Sequence, residues 1–272
     1  MSIELILEPF QYGFMVRAFV GTGLVSIIAA AVGTFVVLKG LAFMGDAISH
    51  TAFTGIALAL ILGISVYVGA LFFAVLTALG VVFLTRISKV NNDTALAILF
   101  TGIFALGIVL LSGTPGFSGD LNSLLLGSVM AIQAKELMLV ASVALVLGVV
   151  MALFFRRFVL VSFDPVGAEA AGFPVAFFQG MLLIIIAVAI VVSIQAVGVV
   201  LVVALLITPA ATASLITKRL KILVLLSSAF GLLSSFLGLY ISYFYSWSDS
   251  CLSSHSLIWA YLGNPETARG ID

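Results

Sequence analysis

The sequence predicts an all-α, polytopic transmembrane helix bundle of about eight spans, and three observations lead there. Hydrophobic residues make up 63% of the 272-residue chain and charged residues only 8%, against roughly 25% charged in a soluble domain. Eight apolar runs are each about long enough to cross a hydrocarbon core of roughly 30 Å as a helix. Irregular backbone and open sheet edges would leave polar groups unsatisfied against lipid, so helices must carry the crossings.

In chain order the runs cover residues 18–38, 41–62, 65–85, 94–112, 137–155, 177–194, 196–216 and 222–245. Ahead of the first lie Glu4 and Glu8 and no basic stretch, which argues against a cleaved secretory signal and makes that run a permanent span. The sixth and seventh runs are nearly continuous, yet about 40 helical residues would extend about 60 Å, twice the core. A turn is therefore required near Gln195 to Gly198. Lys39, Arg86, Lys89, Arg156, Arg157, Lys218, Arg219 and Lys221 fall on one side if the spans alternate, and Arg17, Lys135 and Arg269 fall opposite. Basic residues concentrate on the cytoplasmic side, so the Arg156–Arg157 loop is expected inside and the amino terminus outside.

Two connections are more than turns. Residues 113–136 open on a Gly/Ser/Pro stretch, after which Leu121 to Ile132 is apolar but too short to span; an interfacial or re-entrant helix and a packed loop both fit. Between the fifth and sixth runs, Asp164 can cap a helix, Pro165 suits its first position, and Gly172 with Pro174 can end it. That describes a two-turn helix about 10 Å long, unable to cross and held by its neighbours. It either docks a partner or links two spans. After the last run, residues 246–272 carry Asp249, His255, Glu266, Arg269 and Asp272, and the longest uncharged stretch, Ser256 to Pro265, covers only about 15 Å as a helix. The chain thus divides into a transmembrane domain over 1–245 and a polar carboxy-terminal tail over 246–272, expected outside the cell.

Net charge is zero and no basic face exists at whole-chain level, which excludes a nucleic-acid partner. The single cysteine, Cys251, excludes an internal disulfide and a cysteine-based metal cluster. No glycine is followed by lysine and no His-Glu-x-x-His occurs, so the chain lacks a phosphate-binding loop of the Gly-Lys-Ser/Thr kind and a metalloprotease motif. It is not expected to be an enzyme.

An ionisable side chain within a span costs several kcal/mol and normally faces a cavity, a partner or a transport path. Asp46 and His50, in Met44-Gly45-Asp46-Ala47-Ile48-Ser49-His50, stand four apart and share one helical face. With the membrane edge near Lys39, His50 would lie about 15 Å in, near the midplane. An imidazole nitrogen beside a carboxylate suits a first-row divalent metal; a proton relay and a structural Asp–His pair use the same residues. Farther on, Thr208-Pro209 interrupts the seventh run. Proline deletes a backbone hydrogen bond, so the freed carbonyls either face a path or mark a kink that shapes the bundle.

The Met44–His50 segment resembles the manganese, zinc and iron uptake permeases of the ABC-3 family, relatives of the vitamin B12-type ABC importer permeases. Ser162-Phe163-Asp164-Pro165 with Ala170-Ala171-Gly172-Phe173-Pro174, and Val197 through Ala213, match the same family closely, while Asn91-Asn92-Asp93-Thr94-Ala95 matches loosely. The resemblance implies a permease subunit of an ATP-driven importer in the cell membrane, with Asp46 and His50 lining the metal path. It places Asp164, Glu169 and Gly172 in the coupling segment that meets a separate ATPase. It further implies a homodimer, an extracytoplasmic metal-binding protein as feeder, membrane lipid around the spans and no permanently bound cofactor, the metal being cargo. Manganese is favoured by the form of the motifs, with zinc and iron as the other candidates. The alternative is a proton-coupled secondary carrier using Asp46 and His50 as a relay. Metal capture needs a neutral imidazole and an ionised carboxylate, so uptake is expected to fall on acidification. Such permeases usually continue into another apolar span, from which the polar tail after Ser246 departs.

Overall fold

The computed structural model describes residues 8–41, 43–88, 90–112 and 132–245. After a 3-10 turn at Glu8–Gln11, nine α-helices follow among the described residues: α1 Gly13–Leu38, α2 Met44–Leu62, α3 Val66–Ser88, α4 Asn92–Ser112, α5 Ala134–Phe163, α6 Pro165–Ala170, α7 Val175–Val197, α8 Val199–Ile216 and α9 Leu220–Tyr245. All but α6 are long and apolar enough to cross a membrane, and each of the eight overlaps one predicted run. The segment expected to form an interfacial or re-entrant helix, 121–132, lies outside the described residues save Ile132, as does the tail from 246.

Local chemistry sets the helix ends. The side chain of Asn91 accepts from the Thr94 amide at 2.9 Å and caps α4, while the Glu136 carboxylate reaches back to the Gln133 amide at 2.9 Å, half of a capping box that opens α5. The required break between α7 and α8 falls on Gly198, whose φ of 87° is left-handed and whose lack of a side chain makes that turn inexpensive. Two expectations need correction. Arg156 and Arg157 lie within α5, not in a loop, because the Arg157 guanidinium rests 5.3 Å from the ring centre of Phe154 and 5.6 Å from that of Phe178; a stacked cation is held by packing and helix continues through it. The approach to α2 is not helical from Lys39: the chain turns at Gly40 with φ 67° and the helix starts at Met44. The helical rise from Met44 to His50 is therefore about 9 Å rather than 15 Å. In that same turn, burial lowers the Lys39 ammonium below its ordinary range.

The chain forms two compact units. One gathers α1, the first part of α5, the end of α7, α8 and α9. Its helices are joined by hydroxyls: Ser26 on α1 pairs with Ser235 on α9, and Ser227 donates to the Ala30 carbonyl at 3.1 Å. Polar pairing of this kind ties spans together where lipid offers no hydrophobic drive. The other unit gathers α2, α3, α4, the rest of α5, α6 and most of α7. There α2 and α3 cross with backbones touching at Gly55 and Gly69, where a methyl group on either would strike the other's carbonyl oxygen.

Candidate functional site

Asp46 and His50 lie in the second unit, on α2, where the four-residue spacing brings His50 Nε2 to 3.4 Å from Asp46 Oδ1. The side chains remain 43% and 25% exposed respectively, so the pair is reachable and not sealed into a core. Asp46 occupies the first turn of α2, where the unpaired amides and the helix dipole favour an anion. Two ligands each about 2.1 Å from one metal, at right to tetrahedral angles, stand about 3.0 to 3.4 Å apart; the observed separation is one a single ion can bridge.

The surroundings of His50 were not read from the sequence. Phe100 and Phe104, four apart on α4, face the imidazole with ring centres at 5.4 and 4.9 Å. They lie 5.7 Å from each other and nearly parallel, a two-ring clamp. Among 22 phenylalanines their four-residue spacing does not single them out, since Phe10 and Phe14, Phe154 and Phe158, and Phe173 and Phe177 share it. His50 Nδ1 is buried and has no hydrogen-bond partner among the described residues. Among the described residues no group of three or more His, Cys, Asp or Glu side chains gathers, and a divalent ion prefers four or more donors.

Asp164, Glu169 and Gly172 also belong to this unit, around α6. Asp164 caps the helix by accepting from the Gly167 amide at 2.8 Å, and Pro165 takes its first position. At the other end Gly172 has φ 79° and donates to the Glu169 carbonyl at 2.9 Å, while the Phe173 amide reaches the Ala168 carbonyl at 3.0 Å. These paired bonds form a Schellman stop. Only Ala168 of α6 is buried; Val166 is 78% exposed and Glu169 faces out. Thr208 and Pro209 lie on α8, in the first unit. Pro209 is buried in a helix that continues through it; its missing amide leaves the Leu205 carbonyl without its usual partner in the helix, and the Thr212 hydroxyl donates to the Thr208 carbonyl at 2.9 Å.

Comparison with known proteins adds sequence and fold relatives. Residues 11–262 match the ABC 3 transport family. The chain is 40% identical over 236 residues to the manganese transport system membrane protein MntC of Listeria innocua, covering 87% of this chain and 84% of that protein. It is also 40% identical over 243 residues to the manganese import system permease protein ScaB of Streptococcus gordonii, covering 89% and 87%. A solved structure, PsaBC from Streptococcus pneumoniae in complex with Fab, shares 35% identity and a TM-score of 0.83 over 97% of this chain and 95% of that one. The chain belongs to the ABC 3 transport family and is a multi-pass permease of the cell membrane.

Proposed function

We propose that this chain is the membrane-spanning subunit of an ATP-driven importer of a divalent transition-metal ion, manganese first, with Asp46 and His50 as ligands along the metal path. The observation that carries it is the accessible carboxylate and imidazole 3.4 Å apart on one face of a span. An imidazole nitrogen and a carboxylate oxygen form a mixed donor set that first-row divalent ions accept. The relatives named for manganese support the choice of metal.

Two donors hold an ion weakly, which suits a path that must also release it. A homodimer would bring a second Asp46–His50 pair and raise the count to four. Because the chain has no phosphate-binding loop, a separate ATPase supplies the energy. Its contact is α6, a capped helix with an exposed apolar Val166 and an outward Glu169. An extracytoplasmic metal-binding protein delivers the ion to the external mouth.

Reconstitution of the chain with its co-purifying ATPase into proteoliposomes tests the reading. Manganese(II) accumulation, quantified by elemental analysis, is expected to require ATP and to cease without the ATPase. Uptake by this chain alone, driven by a pH gradient, would establish the secondary-carrier reading in its place.

A further inference from the structure

We propose that Thr54 and Gly107 form a lock between α2 and α4 that positions the His50 imidazole for metal capture, an inference that rests on the metal-path reading of Asp46 and His50. Thr54 is the next residue in the four-residue series Asp46, His50, Thr54, so it shares their face of α2 one turn farther along. Its hydroxyl donates to the Ile103 carbonyl of α4 at 2.9 Å. Within α4 that carbonyl already faces the amide of residue 107. The approach is open only because residue 107 is glycine: a Cβ there would strike the Thr54 hydroxyl.

The lock lies beside the His50 clamp. Phe100, Ile103, Phe104 and Gly107 recur at three- and four-residue spacing and so occupy one face of α4. The same face thus receives the Thr54 bond and presents the two rings to His50. The rings of Phe43 and Phe53 also meet Phe100 and Phe104, at 5.6 and 6.3 Å between centres, but Thr54 to Ile103 is the polar bond found between these two helices among the described residues.

Among the described residues no conventional hydrogen bond orients the imidazole. Ligating histidines are ordinarily oriented by a hydrogen bond to their second nitrogen, and His50 Nδ1 has no such partner among the described residues. The 3.4 Å separation from Asp46 is beyond a normal hydrogen bond. Ring orientation then depends on Phe100 and Phe104, and the placement of those rings on the register of α4 against α2, to which the Thr54 bond and the close approach at Gly107 add a directional constraint. Thr54 is a positioning residue and touches no metal itself.

The test is equilibrium binding of manganese(II) to the purified permease–ATPase complex, read from the electron paramagnetic resonance of the free ion. Removing an orienting group behind a ligand typically weakens metal binding about tenfold or more, and that loss is expected for Thr54→Val with assembled yield and basal ATPase activity unchanged. Thr54→Ser, which keeps the hydroxyl, is expected to bind as the wild type does. Gly107→Ala is expected to weaken binding similarly, and to add no further loss in a Thr54→Ala background, where the obstructing hydroxyl is gone. Wild-type affinity in both Thr54→Val and Gly107→Ala overturns the lock. If Thr54→Val does not assemble, Thr54→Ser and Gly107→Ala decide by the same criteria. His50→Ala separates the two levels: wild-type binding there overturns the metal-path reading itself, whereas its loss beside unaffected Thr54→Val and Gly107→Ala overturns the lock alone.

Discussion

Among the described residues His50 is an imidazole without a conventional hydrogen bond, with two aromatic rings and a carboxylate beside it at the start of a span. A purely structural Asp–His pair would gain most from a short bond and full burial; the pair here has neither. Removing either side chain sacrifices little packing, because both are partly exposed. Asp46→Ala and His50→Ala are therefore expected to assemble normally and to lose manganese uptake by well over tenfold, since even groups behind a ligand are worth about 10- to 100-fold. Uptake assays beside size-exclusion profiles check this, and normal uptake by both variants would remove the pair from the path. The pair was legible in the sequence because ionisable residues stand out against an apolar run and helical spacing says they meet. Phe100 and Phe104 were not legible. A phenylalanine facing lipid and one facing a ligand look alike in a sequence with 22 of them, and only the pairing of α2 with α4 tells them apart.

At the scale of elements, α6 shows how far capping chemistry alone can specify a structure. Its six residues cannot sustain a helix by propensity, so both ends are fixed by particular groups: the Asp164 carboxylate at one and the left-handed Gly172 at the other. Those groups were visible in the sequence because caps are local. Asp164→Ala is expected to cost about 1 kcal/mol of local stability, and Gly172→Val about 1–2 kcal/mol through the left-handed backbone. On a surface helix with one buried residue, the Gly172→Val cost should unravel the stop and release the ATPase, while manganese(II) binding by the permease persists. Co-purification of the ATPase beside a metal-binding assay separates these effects. Gly172→Val that assembles and transports normally would reduce α6 to a plain linker. The extension of α5 through Arg157 was missed for the opposite reason, since a charged pair reads as a loop until the rings of Phe154 and Phe178, the latter on another helix, are known to receive it.

For the whole molecule, the eight membrane-length helices among the described residues were legible because bilayer thickness imposes a length on every span, and each predicted run became such a helix. The grouping into two units was not, because it depends on close approaches such as Gly55 to Gly69 that no periodicity announces. Span count also carries a topological consequence. With Lys39 after α1, Arg86 at the end of α3, Arg157 in the last part of α5 and Lys218, Arg219 and Lys221 between α8 and the start of α9, the basic residues collect at alternate connections, which places those connections in the cytoplasm. One crossing for each of the eight membrane-length helices among the described residues would return the chain to the side from which it started, so the amino terminus and residues 246–272 are both expected outside. A ninth crossing within the tail would place Asp or Glu in hydrocarbon at a cost of several kcal/mol. Cys251 is the only thiol in the chain and lies in this segment. A membrane-impermeant maleimide applied to intact cells is therefore expected to label the immunopurified protein, with little gain on permeabilisation. Protection in intact cells that is lost on permeabilisation would place the tail inside and require an odd number of crossings before Cys251.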